Sequence, residues 1–165
     1  MKTSSIINRL CSLLSEEELI KKVLKIYIGQ KKCNRVDLRN HENSHSYFEF
    51  GDLRLEFESS RIIVEVDTAG GVTNLAKYYY MLNEPDQFNF NGIKSDKMTY
   101  MLHIFVCKGE NDYNAHRRLW GYLSRKLEAK NFKAEMEIWN TNEYENQRVK
   151  SKLKNILEEA VGMRS

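Results

Sequence analysis

Between Phe50 and Asp67 the chain reads "FGDLRLEFESSRIIVEVD", two runs of alternating character joined by a polar link. Alternation with a period of two marks a strand with two unlike faces, and two such runs across a short loop form an antiparallel hairpin. With Ser59-Ser60 as a two-residue loop, Glu58 pairs with Arg61, Arg54 lies opposite Glu65, and Asp52 opposite Asp67. One face then collects Leu53, Leu55, Phe57, Ile62, Val64 and Val66, all apolar. The other collects Asp52, Arg54, Glu56, Glu65 and Asp67, with Ile63 as its apolar exception. A slip of one residue would exchange the faces, so the pattern fixes which side of the sheet each residue serves.

The rest of the chain supplies helices and further strands. "SLLSEEELIKKVLKIYIG" has a capping box, Ser15 with Glu18, ahead of Leu19, Ile20, Val23, Leu24 and Tyr27 at helical spacing; it predicts a helix ending at Gly29. A short strand is expected around Arg35 to Arg39, and "VTNLAKYYYML" reads as a helix immediately after the hairpin. Pro85 and Asn91-Gly92 mark a loop holding Phe88 and Phe90, either tucked under or exposed as a binding surface. "MTYMLHIFVC" is almost continuously apolar, as in a strand covered on both faces. Residues Asn114 to Lys130 predict a helix with Leu119, Trp120, Leu123 and Leu127 on one face and His116 at the core edge. "KAEMEIW" alternates like a strand, and a last helix carries the stripe Val149, Leu153, Ile156, Leu157 and Ala160. The order predicts an α/β domain, residues 1–165, with a mixed β-sheet flanked by helices.

Composition narrows the class. The chain has 165 residues, 41% hydrophobic and 30% charged, with a single proline, as in a folded globular domain. No apolar run approaches a membrane span, and the N-terminus lacks a signal-peptide layout, so no membrane partner is expected. Cys11, Cys33 and Cys107 are irregularly spaced, which fits free thiols and a cytoplasmic setting. Cys33 with His41 and His45 lacks the second cysteine of a zinc site. The formal charge of +3 permits nucleic-acid binding without requiring it.

Two readings compete for Asp52, Glu65 and Asp67. In one they belong to a solvated face with cross-strand pairs to arginine. In the other they hold a hard cation, because carboxylates that repel across a hairpin are relieved by Mg²⁺ or Mn²⁺. The next segment favours the second, since "TAGG" turns the chain and the following helix brings Asn74, Lys77 and Tyr78 back towards the strand end.

An aspartate at the head of one strand and "IIVEVD" at the end of the next resemble the core of the PD-(D/E)XK nuclease superfamily. In that pattern Gly51-Asp52 replaces Pro-Asp, Glu65 matches the second acid, and Asp67 stands where the lysine belongs. "VTNLAKYYYML" is similar to the family's Q-L-x-x-Y helix, with Asn74 in the Gln position and Tyr78 in the Tyr position. The resemblance covers roughly residues 15 to 130 and implies a restriction-endonuclease-like αβββαβ core. It implies Asp52 and Glu65 as metal ligands for Mg²⁺ or Mn²⁺, Asp67 as a third ligand or general base, and Lys77 as a displaced lysine. It also implies DNA as substrate and a homodimer as the simplest way to cut both strands. A decayed, non-catalytic module is the rival.

Other charged groups have two readings each. Glu16, Glu17 and Glu18 either lend a metal ligand or sit as favourable charges at a helix N-terminus. Arg118, Tyr122 and Arg125 line one helix face, and Arg148, Lys150, Lys152 and Lys154 stud the last helix; either strip suits phosphate contact or plain solvation.

Overall fold

The computed structural model describes residues 3–29, 32–39, 46–67, 73–94, 96–106, 114–128, 130–139 and 143–162. His41, His45 and Cys107 fall outside them. Eight strands and four α-helices are described: α1 (Thr3–Ser15), β1 (Lys25–Ile28), β2 (Arg35–Leu38), β3 (Tyr47–Glu49), β4 (Leu53–Glu56), β5 (Ser60–Asp67), α2 (Thr73–Asn83), β6 (Phe88–Asn89), β7 (Met98–Val106), α3 (Asn114–Glu128), β8 (Phe132–Trp139) and α4 (Glu143–Ala160).

The main sheet runs β1-β4-β5-β7-β8. Its first three strands are antiparallel, whereas β7 is parallel to β5 and β8 parallel to β7. Each parallel step needs a crossover, and α2 and α3 supply them. The sheet is mixed and helix-flanked, as the α/β pattern predicts. A small antiparallel sheet, β3-β2-β6, is separate from it.

Two apolar layers form on the two sides of the main sheet. One unites Leu53, Leu55, Ile62, Val64, Val66, Leu102 and Ile104 with Ile6 and Leu10 of α1 and with Val149, Leu153, Ile156, Leu157 and Ala160 of α4. The five-residue stripe expected on the last helix is thus buried throughout. The other layer unites Ile63, Met101 and Phe105 with Leu75, Tyr78 and Met81 of α2, Trp120 and Leu127 of α3, and Val36 and Phe88 of the small sheet. Phe88 is buried and Phe90 packs against this layer, so the loop phenylalanines are tucked under.

Several expectations need correction. The helix expected from Ser15 to Gly29 does not form. Ser15 closes α1, its hydroxyl donating to the Ser12 carbonyl at 2.7 Å, and Lys25–Ile28 pairs as a strand with Leu53–Glu56. Sheet pairing outweighs the helical periodicity of that segment. The hairpin turns one residue earlier than expected: Phe57 N–H donates to the Ser60 carbonyl, and Arg61 pairs with Glu56 rather than Glu58. This moves each pairing by two positions, which leaves the faces unchanged. On α3, Leu119 is 47% exposed and His116 is exposed, while Trp120, Ser124 and Leu127 face inward. Of the two readings of the polar hairpin face, the solvated one does not hold: Arg54, Arg61, Glu65 and Asp67 are all buried.

Candidate active site

The site grows from the end of the hairpin. Gly51 adopts φ +91°, and a Cβ there would lie 2.9 Å from the Leu53 carbonyl oxygen. Only glycine makes that bend without strain. The buried Asn34 amide donates to the Gly51 carbonyl at 2.7 Å and to the Gly29 carbonyl at 3.2 Å, which pins the turn. Asp52 follows, its N–H donating to the Val64 carbonyl at 2.9 Å and its Oδ2 accepting from Val66 N–H at 2.7 Å. Continuing the register from Leu53 and Val64 brings Asp52 opposite Glu65 rather than Asp67.

Glu65 is buried at 2% exposure. The α2 helix answers it with consecutive residues: Lys77 Nζ lies 2.7 Å from Glu65 Oε1, and the Tyr78 hydroxyl donates to the same oxygen. Burial pushes the Glu65 carboxyl up to about 7, although Lys77 opposes that shift and Asp52 adds to it. Asp52 is also raised, first by burial, with the Val66 N–H and Lys77 pulling the other way. Burial outweighs the mutual repulsion of the acids. Tyr78 is raised well above its ordinary range by burial and by Glu65, so its hydroxyl keeps its proton.

These groups line an open cleft of about 610 Å³. Asp52, Glu65 and Val66 line it from the sheet, Asn74 and Lys77 from α2, and Tyr47, Phe48 and Glu49 from β3. Four of the expected site residues, Asp52, Glu65, Lys77 and Asn74, therefore converge. Glu49 is an acid that the sequence reading missed; its one signal is its position three residues before Asp52.

Asp67 shares the face but lies two residues further along β5 and does not line the cleft. Its Oδ2 faces His103 Nε2 at 3.9 Å. His103 is wholly buried on β7, beside Glu65 in the parallel register. Trp120 Nε1–H donates to His103 Nδ1 at 2.9 Å, so the neutral ring carries its proton on Nε2, towards Asp67. Burial, and then Lys77, hold the His103 pKa down to about 3. The signal for His103 was a lone polar residue inside "MLHIFV".

Among the described residues no three of His, Cys, Asp and Glu are grouped to hold a metal ion. Asp52 and Glu65 still suit Mg²⁺ or Mn²⁺ by donor chemistry, since a hard cation of this kind is held by one or two carboxylates together with waters and substrate phosphates. Arg118, Tyr122 and Arg125 are exposed on α3, away from the cleft lining. Glu16, Glu17 and Glu18 follow α1 and lead into a short 3-10 helix, Glu18–Lys22, with Glu17 at its N-cap and Glu18 in its first turn, without a side-chain capping bond. Glu16 and Glu17 face Lys150 and Lys154 of α4 at 3.1 and 4.0 Å, while Glu18 pairs with Lys21. Cys11 and Cys33 are free thiols, and no described helix is long and apolar enough to cross a membrane.

No family model matches the chain, and neither a curated protein nor a solved structure does.

Proposed function

We propose that the cleft is the site of a divalent-metal-dependent phosphodiesterase acting on DNA, an endonuclease of the PD-(D/E)XK kind in restriction, repair, recombination or mobile-element processing. The observation that carries the reading is the convergence of Asp52, Glu65 and Lys77 in an open cleft at the hairpin end. The order of elements in the main sheet supports it too: antiparallel β1, β4 and β5, a crossover helix and a parallel strand follow the αβββαβ order that the sequence resemblance implies, with β2 and β3 inserted between β1 and β4.

A cation bound there would polarise a phosphodiester oxygen and lower the pKa of a bound water. Asp52 and Glu65 would hold it. Lys77 balances Glu65 in its absence and is placed to swing its charge to a phosphoryl oxygen or an attacking water once the cation takes over that carboxylate. Asn74 offers an amide to the same cleft. Asp67, turned to His103, supports the strand end rather than acting as third ligand or base. A second copy of the chain would let a duplex be cut on both strands.

Plasmid and oligonucleotide cleavage with Mn²⁺ tests this. The native chain should cut, and Asp52→Ala should lose at least about a hundredfold, more than the loss of a residue that merely supports a metal ligand. A second reading, a non-catalytic module that binds nucleic acid or a protein, is favoured by one observation: Lys77 already compensates Glu65 without a cation. Salt-sensitive DNA binding without cleavage in either protein would select it. In both readings Arg118→Ala should reduce the salt slope by about one contact if the α3 strip meets phosphates.

A further inference from the structure

The polar face of the sheet carries a second charged cluster that the cleft does not use. Beside the β1 edge lies a cavity of about 250 Å³ whose lining includes Arg54, Glu56, Lys94 and Lys97, together with the exposed Lys25 and Cys33. Glu56 is the sole carboxylate in that lining, and it is shared. Arg54 Nε lies 3.2 Å from it, Lys97 Nζ 3.1 Å and Arg61 Nε 3.9 Å. Lys25 and Lys94 have no carboxylate partner among the described residues. Asp96, exposed, is the other acid that acts on Arg61. Five cations therefore face two carboxylates.

Arg54 is the telling residue. It is 2% exposed, its Nη2 donates to the Cys33 carbonyl at 2.8 Å, and its guanidinium stacks 4.2 Å over the Tyr27 ring. Its Nη1 is buried with no acceptor among the described residues. A buried guanidinium with an unmet donor is costly, and the cost is removed when an oxyanion completes the set. Burial lowers the Arg61 pKa; Glu56 opposes that shift and the neighbouring Arg54 adds to it.

We infer that this cavity binds a phosphoryl group, with Arg54 Nη1 as its buried donor and Lys25, Lys94 and Lys97 around it. A multiply charged tetrahedral anion uses several donors and the guanidinium fork better than a halide or a single carboxylate does. The cavity is smaller than the roughly 300 Å³ at which sites for drug-sized ligands begin, which suits a phosphoryl group with little else enclosed. Arg54 of β4 shares a face with Asp52, two residues earlier and just ahead of the strand, roughly 7 Å along the chain. The inference does not rest on catalysis in the cleft.

The test uses the full chain and inorganic phosphate, with chloride at matched ionic strength as control. Phosphate should raise the melting temperature and slow alkylation of Cys33 by iodoacetamide, followed by peptide-resolved mass spectrometry. The double variant Lys25→Met, Lys94→Met alters exposed side chains only, so it should fold normally and bind phosphate at least fivefold more weakly. Lys130→Met, an exposed lysine outside this cavity and the cleft, should change nothing. A 5′-phosphorylated oligonucleotide and its unphosphorylated twin identify the source. Protection by the phosphorylated strand alone assigns a terminal phosphate, protection by both a backbone phosphate, and protection by inorganic phosphate only a free anion. Equal protection by chloride, or phosphate binding that the double variant leaves unchanged, overturns the site. Mn²⁺-dependent cleavage lost in Asp52→Ala is read separately, so either proposal can fail alone.

Discussion

Ile62, Val64 and Val66 of β5 look into the layer beneath α1 and α4, while Arg61, Glu65 and Asp67 of the same strand look towards α2, α3 and the small sheet. All eight residues of the strand are buried. On the first side, each apolar residue adds roughly 1.5–3 kcal/mol by leaving water. On the second, each charge loses hydration and must recover it from partners: Lys77 and Tyr78 for Glu65, Glu56 for Arg61. Apolar residues of equal volume would often be as stable there or more so. The fold therefore keeps on one side of its sheet charges that stability alone does not require.

The comparison can be broken by substitutions on either side. The largest effect is expected at Leu102, which pairs with Val64 and is fully buried. Leu102→Ala should cost about 2–5 kcal/mol in denaturant unfolding, the same at pH 5 and pH 8 and the same with or without Mn²⁺.

Lys77→Met comes next, and its effect should depend on pH. Glu65 has a folded pKa of about 7 against an ordinary 4.5, so the stability from its retained proton is present below 4.5 and lost as pH rises through 7. Without Lys77 the carboxylate is harder still to ionise. The substitution should cost about 3 kcal/mol at pH 8, as for a broken buried pair, and little at pH 5. Equal loss at both would mean that Lys77 contributes packing rather than charge.

Gly51→Ala should cost about 2 kcal/mol by straining the bend ahead of Asp52, and should weaken Mn²⁺ binding in parallel. The smallest effect has the opposite sign. Asp52→Asn keeps an acceptor for Val66 N–H but removes the buried charge, so it should raise the metal-free melting temperature at pH 8, on the order of 2 °C.

How much of this was legible in the sequence depends on which signal each feature leaves. The hairpin faces were readable because strand alternation has a period of two, and the observed slip of two positions preserves it. Val149, Leu153, Ile156, Leu157 and Ala160 were readable because one helix face meets one layer. Residues 15–29 were not. Ser15 and Glu18 satisfy a capping pattern, yet Ser15 bonds backwards to Ser12, and Leu24, Ile26 and Ile28 fit a sheet edge. Ile6, Ile7, Leu10 and Leu14 of α1 did carry helical spacing. At the site, Asp52, Glu65 and Lys77 could be gathered from strand and helix geometry. Glu49 and His103 could not, because each arrives from a separate strand whose place depends on tertiary packing. That the polar face would be covered was also hidden, since charge alternation looks the same whether a second layer overlies it or water does.

Mn²⁺-linked stability of the native chain at pH 8 tests most directly the claim that these buried acids form a metal site. At a hundredfold excess over its dissociation constant, a cation bound only by the folded state adds about 2.7 kcal/mol. In a chain of this size that is a rise of roughly 5–11 °C in melting temperature. The account predicts this rise in the native protein, with at most a small remnant in Asp52→Ala. A native melting curve indifferent to Mn²⁺, or a shift of equal size in Asp52→Ala, would contradict it and leave Asp52 and Glu65 as a structural pair held by Lys77.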